Sequence, residues 1–514
     1  MRLNPSANSE VVIAPVREAS ATPLQFALRL AALVLLLSAG AVYESSHLSS
    51  LNTPEVWVHL RTGTWMLDHH AIPRTGLFSQ YSSLRWGDST WGFDLLVGFA
   101  YRILGMRAIP ILLMTLKVAV ALATFLLARS GSAGFWQSAA LSAVAQYVIT
   151  GLHPLPYVLS ILFLAAELGL LLNSRISGSI QRLYWLPPLF VIWANLHVQF
   201  VVGLILLAVF VTALLVEHWL RTMGVAWLSA RVSPLHLRQV SVIATLSLLA
   251  TFITPYGYRL FGAFLRTSYS DVGFEHFSEM SAIGFRRPQD YVLMLLVMMA
   301  FLALGQRRSL ELFELLILLG GTGVAFRIQR DGWIVVLAAV AVLAGSSFLE
   351  LDEPRLTGRS FWEWRAVAAT TAIILAIAAV HLPDRFTLIN RARENLPAKA
   401  CDYIAANKLP GPLFNEYLFG SFLTWYLPTY PVVVDSRVEL YGNTILAEYF
   451  DVIGGKERLD SHPMIADAGT LLLERNSAMA KALKNLPALR AQYRLAYSDN
   501  LADVFIPQGK NENR

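Results

Sequence analysis

Long apolar runs separated by short polar breaks occupy most of residues 25–382. Apolar runs of about 18 or more residues are typical of helices that cross a membrane. Several of the runs are shorter than this, so we expect their bounds to be accurate only to a few positions. The pattern predicts about eleven transmembrane helices, in chain order 25–43, 108–128, 134–150, 155–173, 184–195, 201–219, 239–254, 290–305, 309–326, 332–349 and 366–382.

Composition supports a membrane protein, because 55% of the 514 residues are hydrophobic and only 15% are charged. Soluble proteins usually contain about a quarter charged residues. The single cysteine, Cys401, excludes an intrachain disulfide and any metal site built on cysteine. The net charge of +6 is what arginines beside membrane helices would give. We find no nucleic-acid motif and expect no nucleic-acid partner.

The arginines predict the orientation of the chain. If residues 1–24 form a cytoplasmic N-terminal tail, the short outer loops near His153 and His197 contain neither lysine nor arginine, whereas the cytoplasmic loops do. Short loops rich in positive charge usually stay in the cytoplasm. The first apolar run has no clear small-residue cleavage site, so we interpret it as a retained span.

Residues 91–104 decide on which side the chain ends. They are apolar but contain Asp94 and Arg102, so we predict a helix lying along the outer membrane surface. Under this interpretation the last span delivers residues 383–514 to the outside. A single large outer loop, residues 44–107, then precedes the second span.

The tail, residues 383–514, has a mixed polar composition that differs from the rest of the chain. Strand-like patches at 431–435 and 469–473 alternate with helical patterns at 395–407 and 477–492. This alternation predicts a small C-terminal α/β domain of about 120 residues. The predicted fold class is therefore an α-helical polytopic membrane protein with an extracytoplasmic α/β domain.

The first outer loop begins with a predicted helix. Thr53 suits the position that caps a helix, and Pro54 suits its first turn. Apolar side chains then recur at helical spacing and define one stripe of the helix. The stripe consists of Val56, Leu60, Gly63 and Leu67.

Polar side chains of this helix share a neighbouring face. Glu55, His59 and Thr62 follow each other at helical spacing. A carboxylate beside an imidazole can hold a proton or a divalent cation, and Asp88 supplies a second carboxylate later in the loop. The alternative is an interfacial helix in which Glu55 only faces the helix dipole and His59 is solvated.

Five groups of residues, from the first loop to the tail, follow one recurrent pattern: Pro54, Trp57, His59, Leu60, Thr62 and Gly63; Ile72, Pro73, Thr75, Phe78 and Ser79; Trp86 and Trp91; Trp193–His197; and Phe414–Leu423 with Val434–Tyr441. In these residues the chain resembles a widespread group of bacterial membrane proteins within the GT-C superfamily of polytopic glycosyltransferases. That superfamily includes the protein O-mannosyltransferases and the bacterial enzymes that add sugars to lipid A. The resemblance covers most of the chain.

The resemblance implies transfer of a sugar from a polyprenyl-phosphate donor to an envelope glycan, lipid or protein acceptor. The reaction would take place at the outer side of a bacterial inner membrane, and no cofactor is implied beyond a possible divalent cation. The first acidic position of the group's pattern falls on Thr53, the second on Glu55, and its His-Glu pair on Ser89–Thr90. The resemblance therefore implies Glu55 as catalytic base, with Asp88 second. A non-catalytic relative that binds or assembles envelope polysaccharide is the alternative, and a transporter is a third.

Further candidates follow from what this chemistry requires. The lipid phosphate that leaves needs cations, for which Arg327 and Arg330 are candidates, although Arg330 could instead pair with Asp331. His153, His197, Trp57 and His59 are further candidates for substrate binding, and no metal ligands are assigned.

In the tail, a continuing strand would place Asp435, Arg437, Glu439 and Tyr441 on one face. Asp435 and Arg437 are our candidates there, either for binding an acceptor or for docking the tail onto the membrane part. Within the spans, Lys117 and Glu167 would form an ion pair or mark a functional site.

Overall fold

The computed structural model describes residues 23–131, 133–224, 237–268, 270–307, 309, 311–346, 360–455 and 462–508. Most of the predicted N-terminal tail therefore lies outside the described residues. Helices dominate residues 23–380, and a small sheet follows in the tail. The helices up to residue 380 are α1 Pro23–His47, α2 Val56–His69, α3 Trp91–Leu104, α4 Ala108–Ser130, α5 Phe135–Val148, α6 Tyr157–Ser177, α7 Leu186–Leu196, α8 Phe200–Thr222, α9 Leu237–Ala250, α10 Arg259–Ser268, α11 Asp271–His276, α12 Pro288–Gly305, α13 Leu312–Arg327, α14 Trp333–Ala344 and α15 Ser360–Val380.

Every apolar run predicted as a span coincides with a helix, namely α1, α4–α9 and α12–α15. Among the described residues, five helical stretches are long and apolar enough to cross a membrane by themselves. A sixth is possible if α15 is taken together with the next helix, to which it is bent by 79°. The five are Pro23–His47, Trp91–Ser130, Tyr157–Ser177, Phe200–Thr222 and Pro288–Gly305. The count of eleven spans stays a prediction.

One of the five stretches joins α3 to α4, with only a 3-10 turn at Gly105–Arg107 between them. Together they form a 40-residue apolar stretch, although the two helices were predicted to be a surface helix and a span. The surface position of α3 therefore stays a prediction.

The polar break before the sixth predicted span has the expected effect. Helix α7 ends at Leu196 and α8 begins at Phe200. His197 adopts an extended backbone with φ −160° and ψ 140°, which turns the chain between the two helices.

The predicted ion pair within the spans is wrong. Lys117 Nζ in α4 instead lies 3.4 Å from Glu44 Oε2 in α1. Glu167 in α6 is fully buried, and within the described part of the chain its carboxylate oxygens have no hydrogen-bond partner.

The described residues of the tail, 383–455 and 462–508, form seven helices and a four-stranded sheet in the order β1-β2-β4-β3. Strands β1 and β2 are parallel, and the other two pairs are antiparallel. The sheet confirms the α/β class of the tail, and β2, α17, α21 and α22 match the predicted patches. The elements are α16 Arg385–Asn395, α17 Ala398–Ala406, β1 Leu413–Asn415, α18 Tyr417–Tyr426, α19 Val438–Ile453, α20 Pro463–Ala466, β2 Thr470–Glu474, α21 Ala478–Asn485, α22 Pro487–Gln492, β3 Tyr493–Ser498 and β4 Ala502–Pro507.

The strand predicted at 431–435 is wrong, and so is its continuation, because α19 begins at Val438. The segment makes only an isolated bridge, between Val432 and Ser79 of the first loop. Its other backbone groups bond to a side chain: Asn415 accepts from Val433 N at 2.8 Å and donates to Val434 O at 2.9 Å. These contacts satisfy the backbone without a sheet ladder.

The tail shares a hydrophobic core with the first outer loop. Trp57 of α2 is fully buried, 4.6 Å from the ring of Trp425 and 5.4 Å from that of Phe422 in α18. The same core includes Phe93 of α3 and Leu472 of β2. The tail is therefore packed onto the outer loop rather than separated from it by a linker.

Two glycines allow α2 and α3 to touch. A methyl group at Gly63 would lie 1.8 Å from the carbonyl oxygen of Asp94, and one at Gly98 would lie 2.4 Å from the carbonyl carbon of Gly63. Both clashes are with backbone, which cannot move aside without separating the helices.

We expect Gly63→Ala to lower the thermal midpoint, with a loss of about 1–3 kcal/mol in stability, because overpacking costs that amount. Gly320→Ala is the matched control, since Gly320 is also helical and has open space around it. Thermal unfolding in detergent is the measurement. Equal midpoints for the two variants would contradict the close packing of α2 on α3.

Candidate functional site

A cavity of about 840 Å³ opens between the outer loop, the ends of several apolar helices and the tail. Its volume lies within the range of small-molecule sites, about 300–1,000 Å³. Both acidic and basic side chains line it. Those used below are Glu55, His59, Thr90, Asp94, His153, His197, Glu279, Arg287, Arg330, Tyr417, Arg437 and Glu439.

Glu55 lines this cavity and is half-buried rather than directed into bulk solvent. It occupies the capping position of α2, where Thr53 was predicted, because the helix starts only at Val56. Burial raises the pKa of Glu55. A raised pKa brings a carboxylate closer to neutral pH, where a general base works best.

The predicted polar face of α2 is present, since Glu55, His59 and Thr62 all line the cavity. His59 Nδ1 lies 2.7 Å from Oδ1 of Asp94, which projects from α3 and is 2% exposed. Desolvation lowers the pKa of His59, and nearby carboxylates partly oppose this. The ring is therefore neutral at neutral pH.

Asp88 does not line the cavity. It is fully buried behind the wall, where its Oδ1 accepts from the backbone N–H of Thr90 at 3.0 Å. Burial raises its pKa, and the neighbouring Asp94 adds to this effect. The structure thus places Asp88 as a support for Thr90 and not in contact with a substrate.

The two histidines of the short outer loops reach the same cavity as Glu55. His153 Nδ1 lies 2.9 Å from Thr53 Oγ1, and His197 Nδ1 lies 2.7 Å from Ser160 Oγ. Desolvation lowers the pKa of both, that of His197 to about 3. Both rings are therefore neutral near pH 7 and can donate or accept hydrogen bonds without adding charge.

The two candidate arginines separate. Arg330 lines the cavity and is 26% exposed, and its ionic contacts with the described residues are long, 3.5 Å to Glu279 and 3.8 Å to Asp331. Arg327, at the end of α13, does not line it and stacks over Phe274 at 5.2 Å. Because α13 ends at Arg327, the chain turns and the two side chains point differently.

In the tail, Arg437 lines the cavity but is bound on several sides. Its guanidinium lies 2.6 and 2.9 Å from the oxygens of the fully buried Asp435, and it donates to Leu77 O at 2.7 Å. Asp435 does not reach the cavity, and neither does Trp57, whose ring fills the core with the tail. The contact of Arg437 with Leu77 joins the tail to the outer loop, as docking would require, and the choice between docking and acceptor binding stays a prediction.

Several residues that line the cavity were not predicted as site residues from the sequence, namely Asp94, Glu279, Arg287 and Tyr417. Asp94 was noted only as a charge that argues against a span. Its pairing with His59 depends on the close contact of α2 and α3, for which the glycines of both helices were an unused signal. Within the described part of the chain, no three histidine, cysteine or acidic side chains are grouped to hold a metal ion.

No model of a known protein family matches this chain, and no curated protein matches it. Solved structures do. ArnT from Cupriavidus metallidurans bound to undecaprenyl phosphate matches with a TM-score of 0.50 at 12% identity, covering 94% of this chain and 98% of that one.

An archaeal oligosaccharyltransferase, AglB from Archaeoglobus fulgidus with an inhibitory peptide and a dolichol-phosphate, matches with a TM-score of 0.51 at 12% identity. The match covers 92% of this chain and 73% of AglB. An Archaeoglobus fulgidus oligosaccharyltransferase in its apo form gives 0.52 at 12% identity, over 95% and 75% of the chains. These relatives have the GT-C fold, so the predicted fold is confirmed and the chain is a multi-pass membrane protein.

Proposed function

We propose that this protein is a membrane glycosyltransferase of the GT-C type. It takes a sugar from a polyprenyl-phosphate donor and transfers it to an envelope acceptor on the outer side of a bacterial inner membrane. The observation that carries the proposal is the single cavity in which a basic side chain, Arg330, and proton acceptors of α2 come together. Neighbours with the same fold are bound to undecaprenyl phosphate and dolichol-phosphate.

The cavity contains what the reaction needs. The attacking hydroxyl must lose a proton, and Glu55 and His59 of α2 can both take it. The departing phosphate must be stabilised as its charge develops, and no residue that the structure describes holds Arg330 in a short ion pair that would compete. Apolar helices that end around the cavity bring the reaction to the membrane boundary, where a lipid-linked donor resides.

The test is sugar transfer by the purified full-length protein in nanodiscs. Labelled sugars on polyprenyl phosphate are offered together with envelope material as acceptor, and released polyprenyl phosphate and labelled product are both measured. We expect transfer that is lost in the double variant Glu55→Gln/His59→Asn and kept in Glu394→Gln. Glu394 is the control because it is exposed and pairs with the equally exposed Arg391 in the tail, away from the cavity.

A second candidate is a non-catalytic component that binds lipid-linked sugars. It is favoured by Thr53, which replaces the acidic residue of the GT-C pattern and is engaged with His153. Binding of polyprenyl phosphate without release from any donor would support it. Absence of binding would contradict both candidates.

A further inference from the structure

We propose that His59 is the group that takes the proton from the acceptor hydroxyl, and that Asp94 positions its ring for this step. The inference rests on the proposed function and deepens it, because it moves the base from Glu55 to the imidazole. A carboxylate at position 53 is then not needed.

The side chains of His59 and Asp94 are in direct contact. Asp94 Oδ1 and His59 Nδ1 are 2.7 Å apart, and the carboxylate is almost completely shielded from water. A carboxylate accepts a hydrogen here, so Nδ1 carries it and Nε2 keeps its lone pair. In the described part of the chain no side chain or backbone group bonds to Nε2.

The imidazole ring of His59 lines the cavity and can therefore meet a substrate. The His59 side chain is 15% exposed, and this exposed part belongs to the cavity wall. The edge-to-face contact with Phe93, 5.4 Å between ring centres at 89°, fixes the plane of the imidazole. Its position therefore does not depend on a substrate being bound.

The carboxylate of Asp94 is itself held in place by Thr90. Thr90 Oγ1 lies 3.2 Å from Asp94 Oδ1 and 3.0 Å from Asp88 Oδ1. The contact with Thr90 holds the Asp94 carboxylate in the position from which it meets His59 Nδ1. Thr90, which stands where the GT-C pattern has glutamate, thus serves the dyad as a hydrogen-bonding link.

The charges around His59 suit a group that takes up a proton. A ring that is neutral at neutral pH can accept a proton, and the imidazolium that forms needs negative neighbours. Carboxyl groups from four parts of the chain lie near His59: Asp94 from α3, Asp88 from the outer loop, Glu439 from the tail and Glu55 from the cap of α2. Glu55 then stabilises the imidazolium one turn away instead of taking the proton.

The reaction is balanced without a further reagent. The acceptor oxygen bonds to the anomeric carbon of the donor while its proton passes to Nε2 of His59. The bond from that carbon to the phosphate oxygen breaks, and its electron pair leaves with the polyprenyl phosphate. His59 afterwards returns the proton to water.

The kinetic test compares His59→Asn, Glu55→Gln and Asp94→Asn in the transfer assay. We expect His59→Asn to lower kcat by roughly 10²-fold or more, the usual contribution of a general base, with polyprenyl-phosphate binding unchanged. Glu55→Gln should lower kcat by at most about tenfold, the effect of about 1.4 kcal/mol in the barrier. A larger loss in Glu55→Gln than in His59→Asn would overturn the inference.

The pH profile tests the positioning role of Asp94. Transfer should fall as the pH drops through the pKa of His59, because the protonated ring cannot accept. Asp94→Asn removes a carboxylate that favours the imidazolium, so the acidic limb should move to lower pH while kcat also falls. A lower kcat with an unmoved limb would show that Asp94 is only structural.

A measurement without turnover separates this inference from the proposed function. Nitrogen NMR of ¹⁵N-histidine protein in nanodiscs reports which ring nitrogen carries hydrogen, and His59→Asn identifies the His59 signal among the 11 histidines. We expect hydrogen on Nδ1, and a shift of that signal in Asp94→Asn. Hydrogen on Nε2 would overturn the dyad even if the protein transfers sugar. Absence of transfer from every donor would overturn the proposed function, and with it the role of His59 as base.

Discussion

Arg330→Ala should lower the rate of sugar transfer by about 10²–10³-fold, which is the usual effect of removing one group that stabilises developing charge. The leaving polyprenyl phosphate gains negative charge as it departs, and a nearby cation stabilises that charge. The guanidinium of Arg330 can turn toward it because its contacts, 3.5 Å to Glu279 and 3.8 Å to Asp331, are too long to hold it firmly. His197, uncharged near pH 7, adds no competing cation.

The neighbouring arginine provides the matched control. Arg327 is three positions earlier, is exposed, and stacks over Phe274 outside the cavity. Arg327→Ala should therefore transfer sugar at nearly the rate of the unaltered protein. Arg330→Lys should be intermediate, because lysine keeps the charge but loses the bidentate geometry. Initial rates of polyprenyl phosphate release are the measurement, and equal losses in the two alanine variants would contradict the assignment of Arg330 to the phosphate.

Local patterns were sufficient to predict much of this arrangement. Apolar runs gave the helices, because a helix hides its own backbone and needs only a long apolar sequence. Helical spacing put Glu55 and His59 on one face, and the loop positions of His153 and His197 put them on the same side of the protein. These predictions depend only on the spacing of residues that are near each other in the sequence, and that spacing can be read directly from the chain.

Contacts between distant segments could not be predicted in the same way. Asp94 meets His59 only because Gly63 and Gly98 bring two helices together, 35 residues apart in sequence. The sequence offered Arg330 and Arg327 equally as phosphate-binding residues. In the structure α13 ends at Arg327, and only Arg330 of the two lines the cavity. In residues 431–435, the side chain of Asn415 takes the backbone hydrogen bonds that a neighbouring strand would otherwise make. The sequence of that segment contains no sign of this contact.

Asp435→Asn should destabilise the protein by about 3–5 kcal/mol, the cost of leaving one partner of a buried ion pair uncompensated. Asp435 is fully buried and Arg437 is only 4% exposed, so water cannot replace the lost contacts. Tyr441 also donates to Asp435, at 2.9 Å. The loss should appear as a lower thermal midpoint in detergent, together with faster proteolysis of the tail.

An exposed ion pair of the same tail sets the scale for this loss. Glu394→Gln breaks the pair with Arg391, in which both side chains are at least half exposed, and should cost no more than about 1 kcal/mol. The comparison also separates docking from acceptor binding, because only docking links Arg437 to Leu77 of the outer loop. If Asp435→Asn left the midpoint unchanged and raised only the KM for the acceptor, the pair would be a binding group. A loss of stability would show that Asp435 fixes Arg437, and hence this part of the tail, against the outer loop.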